Sequence, residues 1–528
     1  MESFYFRFRE AMNTIKFYLT KHYSFKESFV FFLLLSGLYI FPFINNNLPY
    51  RDDEVRILRG NNWGGLGRQM ADVLMNSLSF SFDALANIAP LTWILTLLFF
   101  SGTLSFFIHK SHLKKTFFNH IAVSFILINP FFLQNLAYQY DCLTMSSGVC
   151  LALIAFMFDF NKKRNLFFSL LMLTAAMFFF QPVSNIFILL TALNLLVDIK
   201  KHEQKFKDTA KAFVIYTLSI SLYYILFKSF FDYASANRSG IAHLNEIPSV
   251  IQNALWIFHQ FFKDLMFSVG GIFIAIVIIF AVIGWIVDLF KSGFTFSIAL
   301  KIIAPVIILF SLWGPFILLD ESFARPRVFV TFGFIIMSLF LIIEKNMSAV
   351  KNFNLILAGI VCAYFISLCY QYNQLALQEY SYNKMLTEWI SKDINDDKNL
   401  YSKNTVYLNS HPDYSPAAKI TLHNNPFLKY IQMPYYNWFS RYYIENRGVQ
   451  HIYKDLNNVD DAYDWKAICQ DKSAKLIKEN RYYNIYLISN PRLAAGNQEH
   501  VSVWFKRNDN LCQDKPNTVF KRNLFFYE

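Results

Sequence analysis

Long apolar blocks alternate with short polar connections over the first two-thirds of the chain. The runs lie at 27–44, 86–108, 116–138, 142–160, 166–181, 183–199, 212–231, 265–289, 302–319, 326–344 and 353–371. A helix needs roughly 20 residues to cross the hydrocarbon core of a bilayer, and most of these runs come near that length. Several contain proline or a polar residue, and two, 166–181 and 183–199, are the shortest. Counting each as a crossing predicts about 11 transmembrane helices. Between the first two runs, Met70, Val73, Leu74, Leu78 and Phe82 recur at helical spacing, which predicts a helix lying flat on the bilayer surface. After Tyr372 the pattern changes. The chain becomes polar and Tyr-rich, with short alternating stretches at Thr405–Leu408, Asn484–Ile488 and Val501–Phe505 that read as strands of a small mixed α/β domain.

Composition agrees with the pattern. Of 528 residues, 55% are hydrophobic and 19% aromatic, with 59 phenylalanines, which is too apolar for a water-soluble enzyme of this size. The net charge of +12 does not read as nucleic-acid binding, because the lysines sit in short blocks between apolar runs. Those blocks give the orientation. Arg7, Arg9, Lys16, Lys21 and Lys26 precede the first run. Lys110, Lys114 and Lys115, then Lys162, Lys163 and Arg164, then Lys200, Lys201, Lys205, Lys207 and Lys211, and finally Lys291, Lys345 and Lys351, fill connections on the same side. The connections at 139–141 and 181–185 carry none. Positive charge stays in the cytoplasm, so the N-terminus is inside and an odd number of crossings puts the C-terminal part outside. The predicted organisation is an amphipathic cytoplasmic N-terminus at 1–26, a membrane domain at 27–371 with outer loops 45–85 and 232–264, and an outer domain at 372–528. The first run lacks a small-residue cleavage site and reads as an anchor rather than a signal peptide.

The outer side carries a distinctive set of polar residues. Its basic residues before the tail are arginines: Arg51, Arg56, Arg59, Arg68, Arg238, Arg325 and Arg327. Arginine stays charged when desolvated and its planar fork matches phosphate oxygens. Taken singly, each arginine is more readily a headgroup anchor or a partner for Glu54, Asp320 or Glu321. Taken together around the adjacent acids Asp52 and Asp53, they suit transfer of a sugar from a lipid phosphate. The leaving phosphate needs cationic stabilisation, and the acceptor hydroxyl needs one general base. Neighbouring residues point different ways, so one of Asp52 and Asp53 reaches the substrate. The following glycine-rich stretch holds Trp63, suited either to stacking on a sugar or to the headgroup belt. Asp141, at the outer end of an apolar run, is a second candidate carboxylate, and Gln181 before Pro182 a weaker hydroxyl contact. No Cys/His spacing resembles a metal site. Cys142, Cys150, Cys362 and Cys369 lie in or beside apolar runs, whereas Cys469 and Cys512 lie in the outer tail, where an oxidising compartment permits a disulfide.

The order Asp52-Asp53-x-x-Arg56, Gly60-x-x-Trp63 and Gly67-Arg68 resembles the first outer loop of the GtrII-type glucosyltransferases, membrane enzymes that decorate bacterial O-antigen. The stretch Asn129-Pro130-Phe131-Phe132, Asn135-Leu136, Tyr138, Asp141 and Met145 resembles a second signature. Phe180-Gln181-Pro182, Trp313-Gly314-Pro315 and Arg325-Pro326-Arg327 resemble weaker ones. The resemblance covers residues 28–345 and implies a GT-C-like fold in the bacterial inner membrane. It implies glucose taken from polyprenyl-phosphate-glucose and added to O-antigen or another surface glycan on the periplasmic face, with a flippase and a lipid-charging glucosyltransferase acting upstream; no metal-ligand spacing invites a metal cofactor. On this chain it makes Asp52 or Asp53 the base. Arg56, Arg68, Arg325 and Arg327 then hold the phosphate, and Asp141 orients a sugar; Trp63, Gln181 and Arg238 are the further candidates for orienting substrate. The sugar's identity rests on that resemblance alone.

Two other classes fit less well. An O-antigen polymerase or ligase would use a diphosphate-linked oligosaccharide, and the early acidic pair is foreign to such enzymes. A lipid-linked sugar transporter would carry inverted repeats or midplane broken helices, and none is evident. For the tail, the tyrosines at 401, 407, 414, 430, 435, 436, 442, 443, 482 and 483 suit either glycan stacking or the packing of a small core.

Overall fold

Each long apolar run folds as a helix wherever nothing interrupts it. The computed structural model describes residues 21–200, 205–230, 242–291, 296–318, 325–402, 406–409, 413–432, 474–490 and 498–506. Arg238, Cys469 and Cys512 lie outside the described residues, so neither the Arg238 contact nor the tail disulfide has a structural account. Among the described residues five helices are long and apolar enough to cross a membrane: Phe25–Asn46, Leu91–Lys110, Lys207–Phe227, Val269–Lys291 and Ser348–Asp396. Asp141–Met157, Gln181–Leu196 and Ile298–Phe310 are apolar but shorter. Leu34, Leu38, Phe99, Ile272, Ile279 and Val306 remain exposed, as lipid-facing positions must. The protein is an α-helical membrane protein with a small sheet near its C-terminus. Eleven continuous crossing helices are not what these segments form.

The main departure from the apolar pattern is at 116–138. Instead of one span, the chain forms helix Phe117–Ser124, a 3-10 turn Pro130–Phe132 and helix Leu133–Ala137. Pro130 has no N–H to continue a helix. The Asn129 side chain donates to Phe125 O and Ile126 O and accepts from Phe132 N. That one amide therefore ends the first helix and starts the next turn. Every residue from 118 to 150 is buried. The stretch is apolar because it fills the interior of the bundle, a cause that hydropathy alone does not distinguish from contact with lipid.

Helix Phe25–Asn46 begins with a capping box between Ser24 and Glu27 and stops at Asn47, whose left-handed backbone closes the last turn on Phe43 O. In the expected surface segment, helix Gln69–Ser79 buries Ala71 and Met75 while Met70 and Val73 stay exposed. Within the expected outer loop 232–264, the second half is part of an amphipathic helix, Ile247–Met266.

The chain divides into two compact units. The first comprises Met1–Asn47, Asn61–Asn373 and Asn425–Ile431; the second comprises Leu48–Gly60, Gln374–Asn424 and Gln432–Glu528. In the second unit, strands β1 (Val406–Asn409), β2 (Ala474–Glu479), β3 (Tyr483–Asn490) and β4 (Gln498–Phe505) form one sheet in the order β1-β4-β3-β2. β1 runs parallel to β4, and the other pairs are antiparallel. Leu386, Ile390 and Ile394, one helical turn apart, pack with Tyr483, Ile485, Val501, Val503 and Phe505, which alternate along β3 and β4.

Candidate active site

The buried segment 129–141 is tied down along its length. Tyr39 Oη donates to Asn129 O (2.7 Å), Trp93 Nε1 to Leu136 O (2.7 Å) and Thr92 Oγ1 to Gln139 O (2.7 Å). The Gln139 side chain donates to Asn47 O (2.9 Å) and accepts from Asn87 Nδ2 (2.7 Å). These bonds fix Asp141 as the first residue of helix Asp141–Met157, where the helix dipole favours a carboxylate.

Four residues singled out from the sequence meet here. Asp141 Oδ1 accepts from Trp63 Nε1 at 2.7 Å and from Arg68 Nη1 at 3.2 Å. Asp141 is 2% exposed and Trp63 is fully buried, so the indole serves the carboxylate and is not a surface stacking face. The Arg68 guanidinium lies 4.9 Å from the centre of the Phe180 ring, and its Nε sits 3.5 Å from Gln181 Oε1. Gln181 Nε2 donates to Leu66 O (2.8 Å) and to Tyr223 Oη (2.9 Å), while Tyr223 Oη donates to Gly67 O (3.1 Å). At the other end of the loop, Trp63 N donates to Asp72 Oδ1 (2.6 Å). The loop is held against the carboxylate by both its ends. Gly67 has φ +71°, and a Cβ there would lie 2.5 Å from Tyr223 Oη. Tyr223 and Asp72 were not legible as site residues. Tyr223 is one aromatic among many in an apolar helix, and Asp72 is an ordinary acid in a first helical turn.

Arg327 is buried against Tyr138, three residues before Asp141. Its Nη1 donates to Tyr138 Oη, with the guanidinium 5.0 Å from the tyrosine ring centre. Its backbone N–H donates to Gln134 Oε1 (2.9 Å), and its carbonyl accepts from Asn135 Nδ2 (3.2 Å). Arg325 is half-buried at the start of the 3-10 turn Pro326–Val328. Two arginines thus hold the turn 138–141, Arg327 through Tyr138 and Arg68 through Asp141. A carboxylate paired with one arginine, in a turn held by a second, is suited to an anionic group and a hydroxyl-bearing one.

The second unit contains helix Asp52–Arg59. Asp53 is fully buried and its Oδ2 accepts from Tyr50 N (2.9 Å), closing the turn that starts the helix. Asp52 is partly exposed, Glu54 and Arg56 are buried, and Arg59 is exposed. Gly60, at φ +60°, ends the helix with its N–H on Arg56 O (2.8 Å). Of the two adjacent acids, Asp53 carries a structural bond and Asp52 is the more accessible.

No solved structure matches the chain. Among curated proteins it resembles an uncharacterized 55.3 kDa protein of the gtrB 5′ region of Salmonella phage P22, with 27% identity over 172 residues. That alignment covers 32% of this chain and 35% of the relative, so the chain spans about a third of that protein's length. Residues 41–339, more than half of the chain and including Asp52, Asp53, Arg56, Arg68, Asp141, Arg325 and Arg327, match the family described as Glucosyl transferase GtrII; the protein belongs to that glucosyltransferase family.

Proposed function

We propose that the protein transfers glucose, with inversion, from polyprenyl-phosphate-glucose to O-antigen or a related surface glycan at the periplasmic face of the inner membrane. The observation that carries the reading is the meeting of Trp63, Arg68, Asp141 and Gln181, residues far apart in sequence, inside the family-matched region. In this reading the anomeric carbon gains positive character as its bond to phosphate oxygen breaks. Arg56, Arg68, Arg325 and Arg327 neutralise the departing phosphate, and Arg238 contacts substrate from the second outer loop. Asp52 takes the acceptor hydroxyl's proton, while Asp53 holds the helix that presents it. Asp141 orients the sugar through its hold on Arg68 and Trp63. The chemistry asks for no metal. A flippase and a lipid-charging glucosyltransferase supply the donor. A GT-C-like arrangement, about 11 crossings and an inside N-terminus complete the proposal, with the shorter and broken apolar segments making up crossings that single helices do not.

The test is mass spectrometry of O-antigen from cells with and without the gene, beside Asp52→Asn and Asp53→Asn variants at matched membrane levels. A gain of one hexose per repeat with the intact gene, lost in Asp52→Asn, is the expected result. Full hexose addition by Asp52→Asn would remove the assigned base.

A further inference from the structure

A seven-residue piece of the tail, Asn425–Ile431, belongs to the membrane unit, although the chain before Asn425 and after Ile431 belongs to the other unit. The family match ends at residue 339, so this piece comes from outside it. It is well buried: Phe427 is 1% exposed, and Leu428 and Ile431 are fully covered. Asn425 Nδ2 donates to Gln371 Oε1 (2.6 Å). Tyr430 Oη donates to Asp264 Oδ2 (2.5 Å), and Lys429 Nζ reaches the same oxygen at 2.9 Å. Burial and the neighbouring Asp264 carboxylate raise the Tyr430 pKa, so the phenol stays a donor at any working pH. The Tyr430 ring lies 4.6 Å from that of Phe261. Phe427 lies 5.1 Å, centre to centre, from Phe131.

Phe131 joins this segment to the site. It sits in the 3-10 turn that opens the segment 129–141, touching Phe258, Phe261, Phe329 and Phe332. Phe329 lies two residues from Arg327, and Gln134 and Asn135, just after Phe131, hold the Arg327 backbone. We infer that Asn425–Ile431 is a positioning wedge: Phe427, acting through Phe131, sets the segment that carries Tyr138 and Asp141 and the turn that carries Arg327. The wedge's effect on transfer rests on the function proposed above; its effect on the segment 129–141 does not. Close-packed aromatic contacts transmit small displacements because an interior has little free volume.

The test uses the full-length protein in native membranes and reads the thiol of Cys142, which is buried next to Asp141. Labelling by a small maleimide is followed by peptide mass spectrometry. Phe427→Ala is expected to speed Cys142 labelling about threefold, as local opening does when a packing partner is deleted. Phe427→Leu should stay near wild type, and Phe131→Ala with Phe427→Ala should label no faster than the quicker single variant. Should Phe427→Ala not accumulate, Tyr430→Phe removes the bond to Asp264 with little loss of volume and should give a smaller rise. In transfer assays with polyprenyl-phosphate-glucose, Phe427→Ala should lower kcat roughly tenfold with donor KM nearly unchanged, the mark of misplaced rather than missing groups. Unchanged Cys142 labelling in both Phe427→Ala and Tyr430→Phe overturns the wedge, whatever the protein transfers. Absence of hexose transfer by wild type overturns the proposed reaction, and the labelling still decides the wedge.

Discussion

At the residue scale, the centre of the site is an ion pair with little access to water: Arg68 and Asp141 side chains are 13% and 3% exposed. Removing one partner of such a pair strands the other charge, a loss of about 3–5 kcal/mol in buried cases. Arg68→Ala and Asp141→Ala should each lower thermal stability in detergent, and the double variant should be less damaged than their sum, with a coupling of roughly 1–3 kcal/mol. Additive losses would show that the two residues do not act as a pair in solution. Arg68→Lys is not conservative here, because the ammonium cannot reproduce a planar fork that meets Asp141, Gln181 and the Phe180 ring together. Gly67→Ala is expected to weaken the same latch, since the new methyl group meets Tyr223 Oη in a left-handed backbone. Each of Trp63, Arg68, Asp141 and Gln181 stood out in the sequence by type and position. Their meeting did not, because contacts between residues 73 to 113 apart in the chain leave no local pattern.

At the element scale, the sequence carried more than the apolar pattern used. Asn129-Pro130 was a visible stop signal inside the run at 116–138, and the structure breaks the run there. Asn129 is 1% exposed and makes three side-chain bonds to backbone, so Asn129→Ala should cost about 1–3 kcal/mol by leaving buried groups unpaired. Circular-dichroism melts of the purified variant would measure it; an unchanged melting temperature would show the turn to be held by other means. The strand stretches after Tyr372 were readable from alternation, and Asn484–Ile488 lies within β3. β2 was missed because Ala474–Glu479 is mostly lysine, glutamate and exposed positions, as suits an edge strand.

A second element-scale consequence concerns pH. Just past helix Ser184–Leu196, Lys200 Nζ donates to Phe156 O (2.8 Å) and Phe158 O (2.6 Å) and lies 3.5 Å from the Phe160 ring centre. It thereby caps the end of helix Asp141–Met157. Burial pushes its pKa down to about 8, against weaker upward pulls from Asp208 and Asp159. The unfolded lysine keeps its proton to about 10.4. Between those values the unfolded chain binds more protons, so this group's contribution to stability rises with pH. Melting temperatures of wild type should therefore gain on those of Lys200→Met from pH 8 to about 10.4. Parallel curves across that window would show that Lys200 titrates normally.

At the scale of the whole molecule, composition and hydropathy were enough to place the chain in a membrane, and the motifs enough to place it in its family. The count of crossings was not legible, since a buried segment and a lipid-facing one can be equally apolar. Orientation can be measured without settling that count. Lysines gather in connections at 110–115, 162–164 and 200–211, while the proposed site draws on residues 52, 141 and 325–327. Moving lysine-rich loops across a membrane is disfavoured, so the two sets should face opposite compartments. Single cysteines placed at exposed Arg59 and at Lys163, in a background without native cysteines, should label from opposite sides of sealed cells with an impermeant reagent. Lipid-phosphate sugars are used outside and nucleotide sugars inside, so the side that position 59 faces also selects the donor class. Labelling of both positions from the cytoplasm would leave the acidic helix with no access to a periplasmic acceptor, and the proposed reaction would have to be abandoned even with the family assignment intact.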